Sequence, residues 1–213
     1  MHNYRLHCFA QSGNAYKVAL ALSLAGADWG AVFVDFFNGG TRTPEYLAIN
    51  EMGEAPVLEH RELKISQSGV ILDYLTGTLG CFGPETEEER REILRWILWD
   101  NHKLTSYVAT LRFQLNFLPE EKRSAEVIDF FRGRATAAMK VLESHLAAHE
   151  WIAAPRLTTA DISCAGYMYF TDEFGADMAA FPNIARWRDA IARLPGWKHP
   201  YDMMPGHPRI GAV

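Results

Sequence analysis

Hydrophobic and polar positions follow two different patterns along the chain. In the first region, short β-branched or aromatic runs alternate with apolar stripes at helical spacing. The predicted strands cover residues 4–9, 31–36, 56–59 and 63–65, and the predicted helices cover 15–25, 44–49 and 67–76. The order β-α-β-α-β-β-α is typical of an α/β layer built on a mixed sheet.

The rhythm changes after a glycine-rich stretch at 77–84, and every later element is predicted to be a helix. These helices run from Thr86 towards Leu118, from Ser124 to His149, from Thr159 to Phe174 and from Asn183 to Leu194. The change predicts an α/β domain over residues 1–78, a linker over 79–85 and an all-α domain over 86–213.

Charge and composition narrow the function classes. The formal charge of −5 and a pI near 5.9, without a basic stripe, argue against a nucleic-acid partner. The most apolar stretch, Val18 to Ala27, is too short to span a bilayer, and no apolar leader follows His2. We therefore expect a cytoplasmic protein without a membrane partner.

Cysteine usage fits that compartment. The three cysteines are odd in number and widely scattered, which is a poor disulfide framework. Cys8 lies in an apolar strand and Cys164 in an apolar helix, so both are predicted to be buried as small hydrophobes. No Gly-x-Gly-x-x-Gly or Walker motif points to a nucleotide.

The first candidate motif is Ser12-Gly13-Asn14, between the first strand and the first helix. A helix N-terminus has unpaired amides and a partial positive charge, so it favours an anion. A hydroxyl or carboxamide there can also donate to a thiolate. Plain helix capping by Ser12 or Asn14 explains the same residues and is common.

Two further motifs follow in order. Pro56, in Glu54-Ala55-Pro56-Val57, opens a strand, and X-Pro bonds are where cis peptides occur. Gln67-Ser68 starts the next helix, where a hydroxyl and free amides suit a carboxylate. The alternatives are a trans proline on an edge strand and a serine that only caps its own helix.

A fourth motif, Leu157-Thr158-Thr159-Ala160-Asp161-Ile162, has a structural role. Thr158 and Asp161 are spaced as a capping box, and Leu157 and Ile162 as a hydrophobic staple. This motif predicts a helix start in the second domain and no chemistry.

Together the four motifs resemble the cytosolic glutathione transferase family over nearly the whole chain. The Ser-Gly-Asn loop is similar to that of bacterial, nu-like members, whereas the tyrosine-type and cysteine-type classes fit less well. The resemblance implies a thioredoxin-like first domain with a four-stranded mixed sheet. It also implies an enzyme of detoxification that forms a homodimer, takes glutathione as co-substrate and requires no metal.

The resemblance assigns roles residue by residue. Ser12, with Asn14 as the alternative, would donate to the thiolate of glutathione. Glu54, Ala55 and Pro56 would contact glutathione. With a cis bond before Pro56, the amide and carbonyl of Ala55 would face the peptide backbone of glutathione. Glu54 stands where relatives often carry Lys, Arg or Gln near the tripeptide's carboxylate, a departure that argues against recognition of the glycine end. Gln67 and Ser68 would hold the γ-glutamyl group.

The second substrate would be a small electrophile or a disulfide. On the long helix after the linker, Trp96 and Trp99 are expected in the core, and four polar residues are candidates for the pocket: His102, Lys103, Ser106 and Tyr107. His145 and His149 lie one helical turn apart, as metal ligands can. A third ligand is not apparent, and histidines also suit a helix C-terminus.

Transfer of glutathione to the electrophile is therefore the expected reaction. Glutathione-dependent disulfide reduction begins with the same thiolate and is an alternative within the same fold. A binding protein that kept the fold and lost the chemistry is an alternative from another class. Catalytic activity is favoured by the presence of Ser12, Pro56, Gln67 and Ser68. The loss of activity is favoured by Glu54.

Overall fold

The computed structural model describes residues 2–207. The chain forms two compact units, one built from residues up to Gly83 together with the segment from Leu194, and the other from Pro84 to Arg193. The predicted division placed everything from residue 86 onward in the second domain. The structure instead groups the last segment with the first unit.

The first unit contains a mixed four-stranded sheet in the order β2-β1-β3-β4. β1 pairs in parallel with β2 and antiparallel with β3, and β3 pairs antiparallel with β4. The elements are β1 (Tyr4–Cys8), α1 (Gly13–Leu24), β2 (Trp29–Phe33), α2 (Pro44–Leu47), β3 (Val57–His60), β4 (Leu63–Ser66) and α3 (Ser68–Leu79). The predicted thioredoxin-like order and sheet are confirmed.

The second unit is helical throughout. Its elements are α4 (Glu87–Trp99), α5 (Thr105–Asn116), α6 (Ala125–Leu146), α7 (Thr159–Ala165), α8 (Thr171–Phe174) and α9 (Pro182–Ala192). A final short helix, α10 (Pro200–Met203), belongs to the segment that joins the first unit. The predicted all-α second domain is confirmed, although sequence patterns missed α10.

Three predicted elements differ from the observed ones. β2 lies two to three residues earlier because it pairs residue by residue with β1, from Tyr4 opposite Trp29 to Cys8 opposite Phe33. The long helix after the linker is interrupted by a π-helical turn at Asp100–Leu104. The helix predicted over 159–174 ends at Gly166, where bonds of the i→i+3 type replace the α-helical pattern.

Asp161 organises the core of the second unit. Its carboxylate is fully buried and accepts four hydrogen bonds, from the backbone amides of Ile152 and Thr158, the Thr158 hydroxyl and the Trp187 indole. Burial raises the pKa of the Asp161 carboxyl, while these four donors oppose that rise. The capping box predicted at Thr158 and Asp161 is therefore part of a larger buried network.

We expect Asp161→Ala to lower the free energy of unfolding of the protein by about 2–4 kcal/mol. The substitution leaves several buried donors without an acceptor, which costs more than the loss of a cap alone. The matched control is Asp177→Ala, because Asp177 caps a short turn from an exposed position and should cost less than about 1 kcal/mol. Equal losses in urea unfolding would contradict the role given to the buried network.

Candidate active site

Strand register brings the three candidate loops to one end of the sheet. β1 ends at Cys8, and its residue His7 lies opposite Val57, the first residue of β3. Val57 in turn lies opposite Ser66, the last residue of β4. The loop after β1, the loop before β3 and the turn after β4 must therefore meet at the same end.

Ser12 is the N-cap of α1. Its side-chain oxygen accepts a hydrogen bond of 3.1 Å from the amide of Ala15, so the predicted capping role is real. A serine hydroxyl has one donor and two acceptor positions, so capping leaves its proton free to donate. Ser12 is buried and Asn14 half-buried, and neither side chain donates to an acceptor among residues 2–207.

The loop before β3 is held by its backbone. Tyr46 and Asn50 both donate from their side chains to the carbonyl of Glu54, at 2.9 and 2.7 Å. Burial raises the pKa of Tyr46 to about 12, so its hydroxyl stays protonated and able to donate. The next bond, between Ala55 and Pro56, is cis, as the resemblance predicts.

Gly53 allows this loop to turn. Its φ is +61°, a left-handed conformation that side chains disfavour. A Cβ atom here would lie 2.6 Å from the Arg42 guanidinium and 3.0 Å from the Thr41 carbonyl oxygen. Glycine is therefore required on both grounds one residue before Glu54.

Gln67 and Ser68 form hydrogen bonds to the loop before β3 and to the start of α1. The Gln67 amide donates to the Glu54 carboxylate at 3.0 Å, and the Ser68 hydroxyl donates to the Asn14 side-chain oxygen at 3.4 Å. Gln67 itself has φ +66°, which is uncommon for a residue with a side chain and costs about 1–3 kcal/mol. Such conformations cluster at ligand sites.

The electrostatics of this end of the sheet favour an anion. The N-termini of α1 and α3, both twelve-residue helices, start here at Gly13 and Ser68. First-turn amides of such helices carry the positive end of the helix dipole. The one cysteine nearby, Cys8, is fully buried, and desolvation raises its pKa to about 12, so it is no thiolate nucleophile.

Sequence patterns missed the contribution of the C-terminal segment. The Ala10 amide donates to the carbonyl of Pro205 at 2.8 Å, and the Gln11 side chain donates to that of Gly206 at 2.7 Å. These bonds brace the loop that carries Ser12. No local sequence pattern predicts these hydrogen bonds, because the bonded residues are about 195 positions apart along the chain.

The four second-substrate candidates lie in the second unit, within or just after the π-helical turn. Ser106 bonds to the carbonyl of Asn101 at 2.5 Å, and the Lys103 ammonium lies 3.5 Å from the Tyr107 hydroxyl. His102 is exposed. The cavities beside α6, His145 and Glu89 are lined by other residues, so the role predicted for these four stays a prediction.

His145 and His149 stack on each other at 4.2 Å, and both bond to backbone carbonyls. Among residues 2–207, no group of three or more His, Cys, Asp or Glu side chains could bind a metal ion.

Within the same range, no helix combines the length and apolar character that a membrane crossing needs. Trp96 is buried as expected, whereas Trp99 is only half-buried.

Comparison with known proteins agrees with this geometry. Residues 4–77 match the glutathione S-transferase N-terminal domain, and residues 106–195 match the glutathione S-transferase C-terminal domain. A crystal structure of a possible glutathione S-transferase from Rhodopseudomonas palustris is 32% identical and superposes with a TM-score of 0.86. That alignment covers 99% of this chain and 96% of the other. The chain belongs to the glutathione S-transferase family.

Two other proteins are also similar to this chain. Disulfide-bond oxidoreductase YfcG of Escherichia coli (strain K12) is 26% identical over 194 residues, covering 88% of this chain and 89% of that protein. The glutathione transferase URE2P8 of Phanerochaete chrysosporium, solved with oxidized glutathione, superposes with a TM-score of 0.86 over 95% of both chains. Its identity of 22% supports the shared fold alone.

Proposed function

We propose that this protein is a glutathione transferase of the nu-like branch, in which Ser12 stabilises the thiolate of glutathione. The observation that carries the proposal is the convergence of three loops at one end of the sheet. There the Ser12 hydroxyl, the Asn14 side chain and the first turns of α1 and α3 offer donors to an anion. Glutathione carries both a thiol and carboxylates, which suit such donors.

The proposed reaction requires only a modest decrease in the pKa of the glutathione thiol. A thiol with a pKa near 8.5 is mostly protonated at neutral pH, and only the thiolate attacks. One charge-assisted hydrogen bond contributes about 1.5–3 kcal/mol, which lowers the thiol pKa by about one to two units. The proton leaves to solvent, and a sulfur lone pair forms the new bond to the electrophile while the leaving group departs with its electrons.

Glu54 fits the γ-glutamyl end of glutathione. The Glu54 carboxylate accepts from Gln67, which stands where the family has an acidic residue or Gln. Gln67 is neutral, so we propose that Glu54 supplies the negative charge that attracts the ammonium group of the γ-glutamyl residue. Ser68 would then bind the carboxylate of the same residue, with the amides of α3 behind it.

Disulfide reduction is the second candidate, favoured by the similarity to YfcG. There the thiolate attacks one sulfur of a substrate disulfide, and the other sulfur leaves as a thiolate that takes up a proton. Parallel assays with 1-chloro-2,4-dinitrobenzene and 2-hydroxyethyl disulfide separate the two reactions. Glutathione binding by calorimetry without either activity would instead indicate a non-catalytic binding protein.

We expect Ser12→Ala to lower turnover at neutral pH by about 10- to 100-fold, because the bound thiol loses its donor and its pKa rises. Raising the pH should recover much of the activity, since solvent then removes the proton unaided. Thiolate absorbance near 240 nm, titrated in the binary complex, measures the pKa directly (roughly a one- to two-unit increase is expected).

Ser12→Thr is the matched control, because it keeps both the hydroxyl and the cap to Ala15. It should titrate close to the wild type. If the raised pKa occurs in Asn14→Ala instead, Asn14 is the donor. A wild-type titration in both alanine variants would leave only backbone amides and contradict the proposal.

Gln67→Ala, Ser68→Ala and Glu54→Gln should each raise the KM for glutathione about 5- to 20-fold and change kcat by less than about twofold. The three groups hold a part of glutathione that does not react, so ground and transition states lose the same binding energy. Thr78→Ala, on the exposed side of α3, is the control and should leave both constants unchanged. Loss of kcat without change in KM would place these residues at the reacting sulfur.

We also propose that the chain forms a homodimer through α4. Leu94 and Leu98 lie one turn apart on this helix and are 47% and 61% exposed, so they form an unpartnered apolar stripe. Leu94→Glu combined with Leu98→Glu should yield monomers in sedimentation velocity. Val127→Glu, at an exposed apolar position of α6, should keep the wild-type mass. A dimeric double variant would exclude this helix as the interface.

A further inference from the structure

A small cavity lies just after β2 in the first unit, and phenylalanine rings form most of its wall. Its volume is about 160 Å³, and four rings line it, those of Phe9, Phe33, Phe36 and Phe37. Sites for drug-sized ligands span about 300–1,000 Å³, so this cavity suits a single small head group. None of the residues proposed to bind glutathione belongs to its lining.

The rings surround the cavity from two directions. Phe9 and Phe36 stack with their centroids 4.7 Å apart and 9° between their planes, and Phe37 lies nearly perpendicular to both, at 79° and 87°. Phe9 is buried in one apolar cluster with Val34, whereas Phe33 and Phe36 are 49% and 36% exposed. The core of the first unit therefore fixes the floor, and the outer rings are accessible to a ligand.

The C-terminal segment forms another side of the cavity. Gly206 belongs to the lining, and its carbonyl accepts a hydrogen bond of 2.7 Å from the side chain of Gln11, which also lines the cavity. A Cβ atom on Gly206 would lie only 2.6 Å from the Phe33 ring. Glycine at this position therefore lets the backbone approach the ring closely, and the wall combines three distant parts of the chain.

The cavity carries one charged group, the carboxylate of Asp35. The Asn38 amide nitrogen donates to both of its oxygens at 3.0 Å, so a neutral neighbour orients the carboxylate. Among residues 2–207, the Asp35 side chain forms no ion pair, and no Lys, Arg or His side chain lines the cavity. The lining thus presents a negative charge that no cation of the lining offsets.

Rings and carboxylate select for the same kind of ligand. The face of a phenyl ring is the negative part of its quadrupole, so it attracts a cation, and the Asp35 carboxylate adds a full negative charge. A quaternary ammonium suits such a wall because its methyl groups are apolar and need no hydrogen-bond acceptor. A primary ammonium would lose hydration against the rings and gain few acceptors in return.

We propose that this cavity binds the trimethylammonium group of a small, free quaternary ammonium compound. The phenyl rings surround the methyl groups, and Asp35 lies beside the positive charge. The cavity borders the proposed glutathione site, since Gln11 precedes Ser12, but the two sites have no residue in common. The proposal is therefore independent of the glutathione chemistry.

Two ligands of the same shape test the role of charge. Choline carries a trimethylammonium group, and 3,3-dimethyl-1-butanol has a neutral tert-butyl group in its place. Titration of each methyl signal in saturation-transfer difference NMR should give a Kd on the order of 1 mM for choline. The alcohol should bind at least about tenfold more weakly, because it gains neither the cation–π attraction nor the charge pairing.

Asp35→Asn tests the carboxylate, because it removes the charge and keeps an oxygen for Asn38. It should weaken choline about 3- to 10-fold and leave binding of the alcohol unchanged, since one partly exposed charge pair is lost. The matched control is Asp73→Asn, which removes an exposed carboxylate of α3 outside the lining. This control should bind choline like the wild type.

Phe36→Leu tests the rings, because it keeps an apolar side chain and removes the aromatic face. It should weaken choline about 2- to 6-fold. Phe33→Leu, at the more exposed ring, should have the same effect and serves if Phe36→Leu does not fold. Phe130→Leu is the control, because Phe130 is 55% exposed and lies on α6, away from the cavity.

Four results would overturn the proposal. Choline binding that is unchanged in Asp35→Asn and in the leucine variants would place choline elsewhere, and a wild type that binds the alcohol as tightly as choline would remove the role of charge. A wild type that binds neither ligand would exclude the site. Ser12→Ala should bind choline like the wild type, and a loss there would assign choline to the glutathione site.

Vesicles of phosphatidylcholine distinguish a free ligand from a lipid head group. The protein should not cosediment with them, because the proposed ligand is a free compound that enters a small cavity. Cosedimentation that Asp35→Asn abolishes would make the ligand a lipid head group and contradict the proposal.

Discussion

The antiparallel pairing of β1 with β3 is the constraint on which the candidate site depends. With His7 opposite Val57, the chain must leave β1 where it enters β3, and β4 must end beside them. A slip of one residue would turn every side chain of β3 to the other face of the sheet. It would also shift Ala55 and Pro56 along the sheet relative to the loop that carries Ser12, so the register sets the geometry of the candidate site.

Hydrogen bonds between side chains then position the polar groups at this end of the sheet. Ser12 caps α1 and keeps a proton to give, while Ser68 bonds to Asn14 across the gap between two helix starts. Glu54 and Gln67 bond to each other on the neighbouring loop. The result is a positive helix-terminus field beside one carboxylate, and the proposed binding of the γ-glutamyl group rests on this arrangement.

The helical unit is stabilised by hydrogen bonds to buried carboxylates. It buries two carboxylates, Asp161 and Asp100, and provides each with donors: Asp100 accepts from Thr105 and Ser163 at 2.8 and 2.6 Å. A buried carboxylate is tolerated only when its oxygens are satisfied. Both networks hold distant segments of the chain together.

Sequence alone determined the order of elements, the two kinds of domain and the motifs at Ser12, Pro56 and Gln67, because helix periodicity, turn residues and caps are local properties. Tertiary structure decided what depends on partners far along the chain. Pairing with β1 placed β2, and the carbonyls of Pro205 and Gly206 hold the loop before Ser12. The cavity lined by α5, α6, α8 and the segment before α9 could not be predicted from the sequence, because only packing brings these parts of the chain together.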